Sequence, residues 1–341
     1  MALERSVLTE QDARALLRAH YGLQVTGLEH LSMGTANCYK VCAEGGLFFL
    51  KEFPSSYAPE DVLREHALLE HLTTRSFPVA RILPTAENAP YFQHNGHVFC
   101  LQEFIEGRTF GYDDFPEELL PLLAQTLGRL HGVLRGYPLS CYREDKWFDP
   151  YPAEEMQAEY LRLLPMVSDR DPFAGRICDD LSYKSGLVLR CAEHLPLCRG
   201  VTFTASHGDF QGCQIICEGD RLKAVTDFSA ANVLPTVWEV MRSFTQSSQT
   251  CRDTARIDPD ALAAYVREYM RFAPLSRNDL RAMPYVYLLQ LARSKYGYPQ
   301  YLRGELDENS GLLHFAFWRT DICRDLETKA EIISEKLQKL L

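Results

Sequence analysis

The sequence predicts an α+β protein in two parts, a small antiparallel sheet followed by a larger, mostly helical part. Three observations predict this order. Strand-like apolar runs with glycine-containing turns occupy residues 22–53, and helical spacing of apolar residues dominates from residue 116 onward. The chain has 341 residues, which is too long for one compact core and therefore indicates two or three units.

The predicted elements follow one another in a simple order. The first are a helix at 6–20 with Thr9 as its N-cap, three strands within 22–53, a helix at 59–75 and a strand at 97–105. Residues 138–180 are rich in proline and acidic groups and are predicted to be a partly irregular, acidic insertion. The later elements are helices at 116–135 and 181–196, a hairpin within 203–228, and helices beginning at Asp258, at Ser276 and at 312.

The composition is that of an ordinary soluble protein. Hydrophobic residues make up 46% and charged residues 24%, and no apolar run approaches the roughly 18 residues of a membrane-spanning helix. Charged side chains within residues 1–15 argue against a signal or transit peptide, so we expect a cytoplasmic protein without a membrane partner. The 11 cysteines are odd in number and contain no C-x-x-C, which predicts reduced thiols rather than disulfides or metal ligands.

The net charge of -10 argues against a nucleic-acid-binding protein, which would show a basic face. Residues 1–106 carry a net charge of -5 and residues 113–180 a net charge of -7, whereas residues 181–341 are nearly neutral. A focused negative field would attract a cationic small molecule such as an amine. The alternative is a solvated acidic surface that only keeps the protein soluble.

Two aspartates within residues 206–227 carry the strongest functional signal. Asp209 follows His207 and Gly208, and Asp227 ends the apolar-rich run 222–226 that comes after a Gly-Asp turn. This layout predicts two loops on one β-hairpin, with one carboxylate to orient an attacking hydroxyl and the other to hold a metal ion. Phosphoryl transfer needs such a pair, because its catalysis is mostly positioning and neutralisation of phosphate charge.

A lysine in an apolar strand is the second signal. Lys51 lies within the strand-like run 47–53, where burial would be costly unless a phosphate and a carboxylate paired it. Glu65 lies on the next predicted helix and is available as that carboxylate. Before them, Gly34 permits close backbone approach, and the neighbouring amides with Asn37 would lie over phosphate oxygens.

Together these motifs resemble the H-G-D-x-x-x-x-N and D-F/W-x signatures of the aminoglycoside phosphotransferase and choline kinase superfamily, relatives of the protein kinases. The resemblance implies a protein-kinase-like two-lobe fold. Its N-terminal nucleotide-binding lobe and linker would be residues 1–106, and its C-terminal catalytic and substrate lobe would be residues 107–341. The sequence departs from the family pattern at Gln214, which stands where the family usually has the asparagine that binds the second metal ion.

The resemblance also implies roles for individual residues, with ATP and Mg²⁺ as cofactors. Asp209 would orient the acceptor hydroxyl. Gly34, Asn37, Lys51, Glu65 and the linker residues Gln102 and Phe104 would bind the nucleotide, and Gln214 and Asp227 would hold the metal. Glu239 takes the place of an acidic residue near the start of a helix, and His131 and His207 are expected to be structural.

Two other classes of function remain open. A nucleotide-binding protein with little or no catalysis is motivated by Gln214, because Mg²⁺ tolerates displaced ligands poorly. A protein kinase fits worse, since only about ten residues separate Asp227 from Trp238 and leave no room for a long activation segment. Within the enzyme hypothesis the acceptor is open. Choline or ethanolamine, homoserine, an aminosugar and a methylthioribose-like sugar are all compatible.

Overall fold

The computed structural model describes residue 6 and residues 8–31, 36–138, 147–306 and 311–341. The chain divides into two compact units. The first comprises the chain up to Thr109 together with Gln214–Ala231, and the second comprises Phe110–Cys213 and Asn232–Leu341. The sequence assigned residues 214–231 to the C-terminal lobe, whereas the chain packs them with the first unit.

The strands are β1 (Val25–Leu31), β2 (Asn37–Ala43), β3 (Gly46–Glu52), β4 (Ile82–Leu83), β5 (Phe92–His94), β6 (His97–Glu103), β7 (Phe203–Ser206), β8 (Ile215–Glu218), β9 (Arg221–Val225) and β10 (Asn232–Pro235). The α-helices are α1 (Glu10–Tyr21), α2 (Pro59–Thr74), α3 (Leu120–Leu134), α4 (Ala153–Leu163), α5 (Ala174–Cys191), α6 (Leu195–Cys198), α7 (Thr236–Ser247), α8 (Gln249–Thr254), α9 (Pro259–Met270), α10 (Arg277–Arg293), α11 (Tyr298–Leu302) and α12 (Gly311–Gln338).

The first unit is built on an antiparallel sheet in the order β1-β2-β3-β6-β4, with β5 paired to β6. Helix α1 begins after Thr9, whose side chain accepts a hydrogen bond from the backbone N–H of Asp12. It ends at Gly22, where a φ of 69° is readily available only to glycine. Leu17 of this helix packs into a core with Leu50 of β3 and Phe99 of β6. The apolar side chains on this face of the sheet therefore point toward α1.

The β8–β9 hairpin joins the first unit through backbone hydrogen bonds. Val225 N–H donates to Pro78 O at 2.9 Å, and Arg108 and Cys217 exchange both of their backbone hydrogen bonds. Gly107 permits this approach, because a Cβ there would lie 2.9 Å from Cys217 O and 2.6 Å from a methyl carbon of Ile216. These contacts explain why residues 214–231 pack with the first unit, whereas the residues before and after them belong to the second unit.

The second unit is mostly helical, with β7 and β10 paired antiparallel. Helix α10 packs against α12, α7 and α5, and α3 packs against α9. The predicted caps are confirmed, since Asp258 accepts from Asp260 N–H and Ser276 forms a capping box with Asp279. The predicted insertion at 138–180 is more regular than expected. It contains α4 and the start of α5, which begins at Ala174 rather than at residue 181.

The early start of α5 has a physical reason. Ile177, Leu181 and Lys184 recur at helical spacing and are buried, so the amphipathic pattern extends upstream of the predicted start. Residues 139–146 of the insertion lie outside the described part of the chain.

Within the described residues, no helix has the length and apolar character needed to cross a membrane. Every cysteine that the structure describes is a free thiol. No cluster of three or more His, Cys, Asp and Glu side chains suited to a metal ion occurs among the described residues either.

The contact between α3 and α9 yields a stability prediction. A Cβ added at Gly128 would lie 2.4 Å from Tyr269 O, a backbone atom. We expect Gly128→Ala to lower the free energy of unfolding by about 1–3 kcal/mol, because the two helices must move apart. Urea denaturation would measure it.

The matched control is Gly175→Ala on α5, where an added Cβ meets nothing within 4 Å. It should leave stability unchanged or raise it by up to about 1 kcal/mol. Equal stability of both variants would contradict the close packing at Gly128.

Candidate active-site residues

Lys51 is the centre of a charged cluster in the first unit. In the sheet register it lies opposite Cys38 of β2 and Cys100 of β6. Its Nζ lies 3.0 Å from Asp227 Oδ1 and 3.9 Å from Glu65 Oε1. The strand, helix α2 and the chain after β9 thus each contribute one charged group, as the sequence predicted for Lys51 and Glu65.

Electrostatics keeps the buried lysine charged. Burial alone would lower the pKa of Lys51, but Asp227 and Glu65 outweigh it and raise that pKa above its ordinary value. The neighbouring Cys38 thiol has its pKa raised to about 11 by burial, although Lys51 acts in the opposite direction. Lys51 is therefore a permanent cation and Cys38 a neutral thiol at physiological pH.

Asp227 has an unusual backbone conformation. Its φ of 58° and ψ of 65° lie in the left-handed region, which costs a residue with a side chain roughly 1–2 kcal/mol. Ser229 Oγ donates to Asp227 Oδ1 at 2.8 Å. The side chain is 44% exposed, so the carboxylate is accessible to a ligand while one oxygen contacts Lys51. Backbone strain of this kind often accompanies functional positions.

Gln214 directly precedes β8, at the open end of the β8–β9 hairpin. Its carbonyl accepts the backbone N–H of Thr226 at 2.9 Å, and Thr226 is the residue before Asp227. The side chain of Gln214 is buried. The backbone of Gln214 is thus hydrogen-bonded to the residue directly before Asp227.

The other residues predicted to bind the nucleotide do not all lie on the same face of the sheet as Lys51. Gln102 shares the face of β6 with Cys100, and therefore the face of Lys51, because alternate residues of a strand point the same way. Phe104 follows β6, and Lys40 Nζ lies 5.1 Å from its ring centre. Asn37 pairs with Glu52, so alternation places it on the face opposite to Lys51. Gly34 lies outside the described residues.

Asp209 belongs to the second unit and follows β7. Its carboxylate forms an ion pair with Arg242 of α7. Burial alone would lower the pKa of Arg242, but the charge of Asp209 outweighs it and raises that pKa. The Asp209 side chain is 31% exposed, so the ion pair leaves part of the carboxylate open. Gly208, with a φ of 85°, provides the turn into this position.

A fully buried carboxylate holds this loop. Glu239 accepts hydrogen bonds from His131 Nε2 at 2.8 Å and from the backbone N–H groups of His207, at 3.1 Å, and Gly208. Tyr269 Oη lies 2.7 Å from His131 Nδ1 and donates to it when the ring is neutral, since Nε2 carries the proton given to Glu239. Burial opposes ionisation of Glu239, but His131 and the backbone donor Gly208 outweigh it and lower its pKa. His131 is structural, as expected.

Sequence reasoning missed Arg242 as a partner of Asp209. A signal existed, because Arg242 follows Glu239 by three residues and shares its helix face. The loop is further fixed where Gly212 N–H donates to Ser247 Oγ at 2.9 Å, which the sequence did not indicate.

The family of the chain follows from a comparison with family models. Residues 28–280, well over half of the chain, match the model of the phosphotransferase enzyme family. The chain belongs to this family. No curated protein sequence matches it significantly.

Solved structures similar to the chain agree. A spectinomycin phosphotransferase in complex with ADP and spectinomycin is 14% identical, with a TM-score of 0.67 over 98% of this chain and 100% of the other. An amicoumacin kinase in complex with AMP-PNP and Ca²⁺ is 14% identical, with a TM-score of 0.63 over 95% and 94%. A Plasmodium vivax ethanolamine kinase is 14% identical, with a TM-score of 0.61 over 93% and 89%. These similarities confirm the predicted protein-kinase-like fold, and the family match confirms the superfamily.

The hydrogen bonds of Glu239 yield a second prediction. Glu239→Gln should lower the free energy of unfolding at neutral pH by about 1–3 kcal/mol, because an amide has one acceptor oxygen for three donors. A carboxylate with a lowered pKa stabilises the fold above its ordinary pKa, and this stabilisation is lost as pH falls through the folded-state pKa. The difference between wild type and variant should therefore shrink in acid.

The control is Glu331→Gln, a change at an exposed residue of α12, which should have no effect at either pH. A pH-independent difference for Glu239→Gln would argue against a role of the ionised carboxylate.

Proposed function

We propose that the protein transfers the γ-phosphoryl group of ATP to a hydroxyl of a small molecule. The observation that carries the proposal is the state of Lys51, buried yet charged between Glu65 and the partly exposed Asp227. A lysine held in this way is positioned to contact nucleotide phosphates, and a purely structural ion pair would not need a strained, accessible aspartate. The family membership supports the same class of reaction.

The residues present fit a divalent ion. Asp227 offers an accessible carboxylate, and Gln214, whose backbone is hydrogen-bonded to Thr226, offers a side-chain amide oxygen. Mg²⁺ is commonly bound by one or two protein oxygens plus phosphates and water. When bound, Mg²⁺ would neutralise charge on the phosphates. Ca²⁺ with AMP-PNP in the similar amicoumacin kinase supports use of a divalent ion.

Asp209 orients the acceptor. Its free oxygen accepts the hydrogen bond of the acceptor hydroxyl, while Arg242 holds the other side of the carboxylate. The hydroxyl oxygen forms a bond to the γ-phosphorus as the bond to the bridging oxygen breaks, and that electron pair leaves with ADP. The hydroxyl proton passes to Asp209 late in this step. Glu239 keeps the backbone of the loop fixed during it.

The acidic charge of residues 113–180 bears on whether the acceptor is a cation. The sequence suggested a cationic acceptor from the acidic charge of residues 113–180. The described acidic residues of this range are mostly exposed, which favours a solvated surface instead; the exposed ones are Asp113, Asp114, Glu118, Asp149, Glu154, Glu155, Glu159, Asp169 and Asp179. A nucleotide-binding protein with little catalysis is the second candidate, because Gln214 replaces the usual asparagine.

The test of the proposal compares two aspartates that should fail differently. Asp209→Asn should retain affinity for ATP with Mg²⁺ and lose about 100- to 10,000-fold in turnover, because the base and orienting group is lost. Asp227→Asn should lose tight nucleotide binding and its dependence on Mg²⁺. Calorimetry and ADP release with a panel of amino alcohols, hydroxy acids and sugars would measure both.

Asp220→Asn is the control, since Asp220 lies exposed in the turn of the same hairpin. It should behave as the wild type. Near-normal turnover of Asp209→Asn would remove the assigned role of Asp209, and a wild-type protein that binds ATP without phosphorylating any acceptor would favour the second candidate.

Gln214 yields a separate prediction. The loop before Gln214 is closely packed, because a Cβ at Gly212 would lie 2.4 Å from the Phe115 ring. The Gln214 carbonyl is also hydrogen-bonded to Thr226 N–H. We therefore expect the loop to adjust little when the side chain is shortened. In Gln214→Asn the amide oxygen should therefore fall short of the ion. We expect the Mg²⁺ concentration for half-maximal activity to rise several-fold, and to rise further in Gln214→Ala.

The measurement is a Mg²⁺ titration of turnover at saturating ATP. An unchanged Mg²⁺ requirement in both variants would exclude Gln214 as a ligand, leaving Asp227 and water to hold the ion.

A further inference from the structure

Buried nitrogen donors without acceptors surround the ion-pair partner of Asp209. The guanidinium carbon of Arg242 lies 5.7 Å from the ring centre of Trp238, and the rings of Trp238 and Trp147 are 5.2 Å apart. The Nε of Arg242 and the indole nitrogens of both tryptophans are buried and have no hydrogen-bond partner among the described residues. Unsatisfied buried donors are rare because each loses its bond to water. Three of them in one neighbourhood offer hydrogen bonds to an acceptor oxygen.

Arg319 of α12 adds an unpaired positive charge to this neighbourhood. The residue is only 7% exposed, and the structure gives its guanidinium no carboxylate partner and no hydrogen bond within the described chain. The group lies 5.6 Å from the Phe315 ring centre. Burial lowers the pKa of Arg319; the Tyr287 hydroxyl acts in the opposite direction, and repulsion by Arg242 lowers that pKa further. Arg319 and Arg242 are therefore close enough to repel each other.

Lys184 of α5 is a second buried cation, and Arg319 is among the charges that act on it. Its Nζ donates to Ser294 O, a neutral carbonyl, at 2.7 Å. Burial lowers the pKa of Lys184 to about 8, and the charge of Arg319 contributes to that shift. The charges of Lys184 and Arg319 thus repel each other, and Tyr160 lies close to both.

The carboxylates of this unit that could neutralise Arg319 have other partners. Asp180 pairs with Arg176 and Arg324, each at 2.8 Å. Glu239 is occupied by His131 and backbone donors, and Asp209 by Arg242. A buried arginine that serves only the fold would be expected to have such a partner, as Arg324 does.

We propose that Arg319, with Arg242 and the two indole N–H groups, binds an anionic group of the acceptor, a carboxylate or a phosphate, whose hydroxyl Asp209 orients. This inference rests on the proposed phosphotransfer at Asp209. The chemistry is complementary, because carboxylate and phosphate oxygens only accept hydrogen bonds and these side chains only donate them. A guanidinium presents its donors in a planar fork that matches either anion. The acceptor is thus an anion rather than the cation that the sequence suggested.

The test uses related acceptors that differ in whether they carry an anionic group. Glycerol, glycerate and glycerol 3-phosphate each keep a free hydroxyl, and homoserinol and homoserine form a second pair. Calorimetry in the presence of AMP-PNP and Mg²⁺ would measure their affinity. We expect at least one anionic member to bind roughly 30-fold or more tightly than its uncharged or cationic counterpart. A preference for glycerate or homoserine identifies a carboxylate, and a preference for glycerol 3-phosphate identifies a phosphate.

Arg319→Met tests the residue itself. It should remove the preference for the anion, raise KM for that acceptor by a similar factor, and leave the affinity for AMP-PNP unchanged. It should also leave the melting temperature unchanged or raise it, because an unpaired buried charge is removed. A structural arginine would behave in the opposite way and lower it. Arg319→Lys should restore part of the anion affinity. Arg281→Met, at an exposed arginine of α10, is the control and should change none of these quantities.

The outcomes separate this inference from the proposed function. Anion-selective binding that depends on Arg319, without phosphorylation of any acceptor, supports the anion site and contradicts phosphotransfer. Turnover of acceptors without any preference for an anion, or a preference that survives in Arg319→Met, overturns the anion site and leaves the proposed function intact.

Discussion

The charge of Lys51 is the constraint on which the first unit depends. A cation inside a sheet must be neutralised nearby, because burial of an unpaired ammonium costs several kcal/mol. Its two partners come from α2 and from the chain after β9, more than 170 residues away in sequence for Asp227. The same hairpin is bonded to residues 78 and 108 by its backbone. Residues 214–231 therefore pack with the first unit for two reasons. Asp227 neutralises Lys51, and the backbone of the hairpin forms hydrogen bonds with residues 78 and 108. The rest of this unit is continuous in sequence.

The second unit depends on a buried charge of the opposite sign. Glu239 has no arginine or lysine within ion-pair distance among the described residues; its charge is held by His131 and by two backbone N–H groups. Backbone donors fix main-chain position more rigidly than a long side chain would, since they carry no rotatable bonds. The carboxylate of Asp209 is thereby presented by a loop whose backbone is fixed on one side by Glu239 and on the other by Ser247 at Gly212. Orientation of an attacking hydroxyl depends on such rigidity.

The sequence predicted those features that depend on local chemistry or on an isolated charge. Thr9, Asp258 and Ser276 were recognisable as caps, because capping is decided within four residues. Lys51 and Glu65 were recognisable as a pair, since a lone lysine in an apolar strand requires a partner. The face of Asn37 was not recognisable, because the register of β2 against β3 decides it. The partners of Asp209 and Arg319 were not recognisable either, because helix packing over long sequence separations brings them together.

The anion site proposed around Arg242 and Arg319 illustrates how position can outweigh composition. Residues 113–180 have a net negative charge, but their exposed carboxylates act through water and salt, which screen them beyond about 8 Å at physiological ionic strength. The donors around Arg242 and Arg319 are buried, where screening is weak and a hydrogen bond to an ion is strong. An anion that reaches them gains these bonds, and a cation in the same place would face two guanidinium groups. Under this proposal the long-range field affects the rate of approach, whereas the buried donors determine which acceptor stays bound.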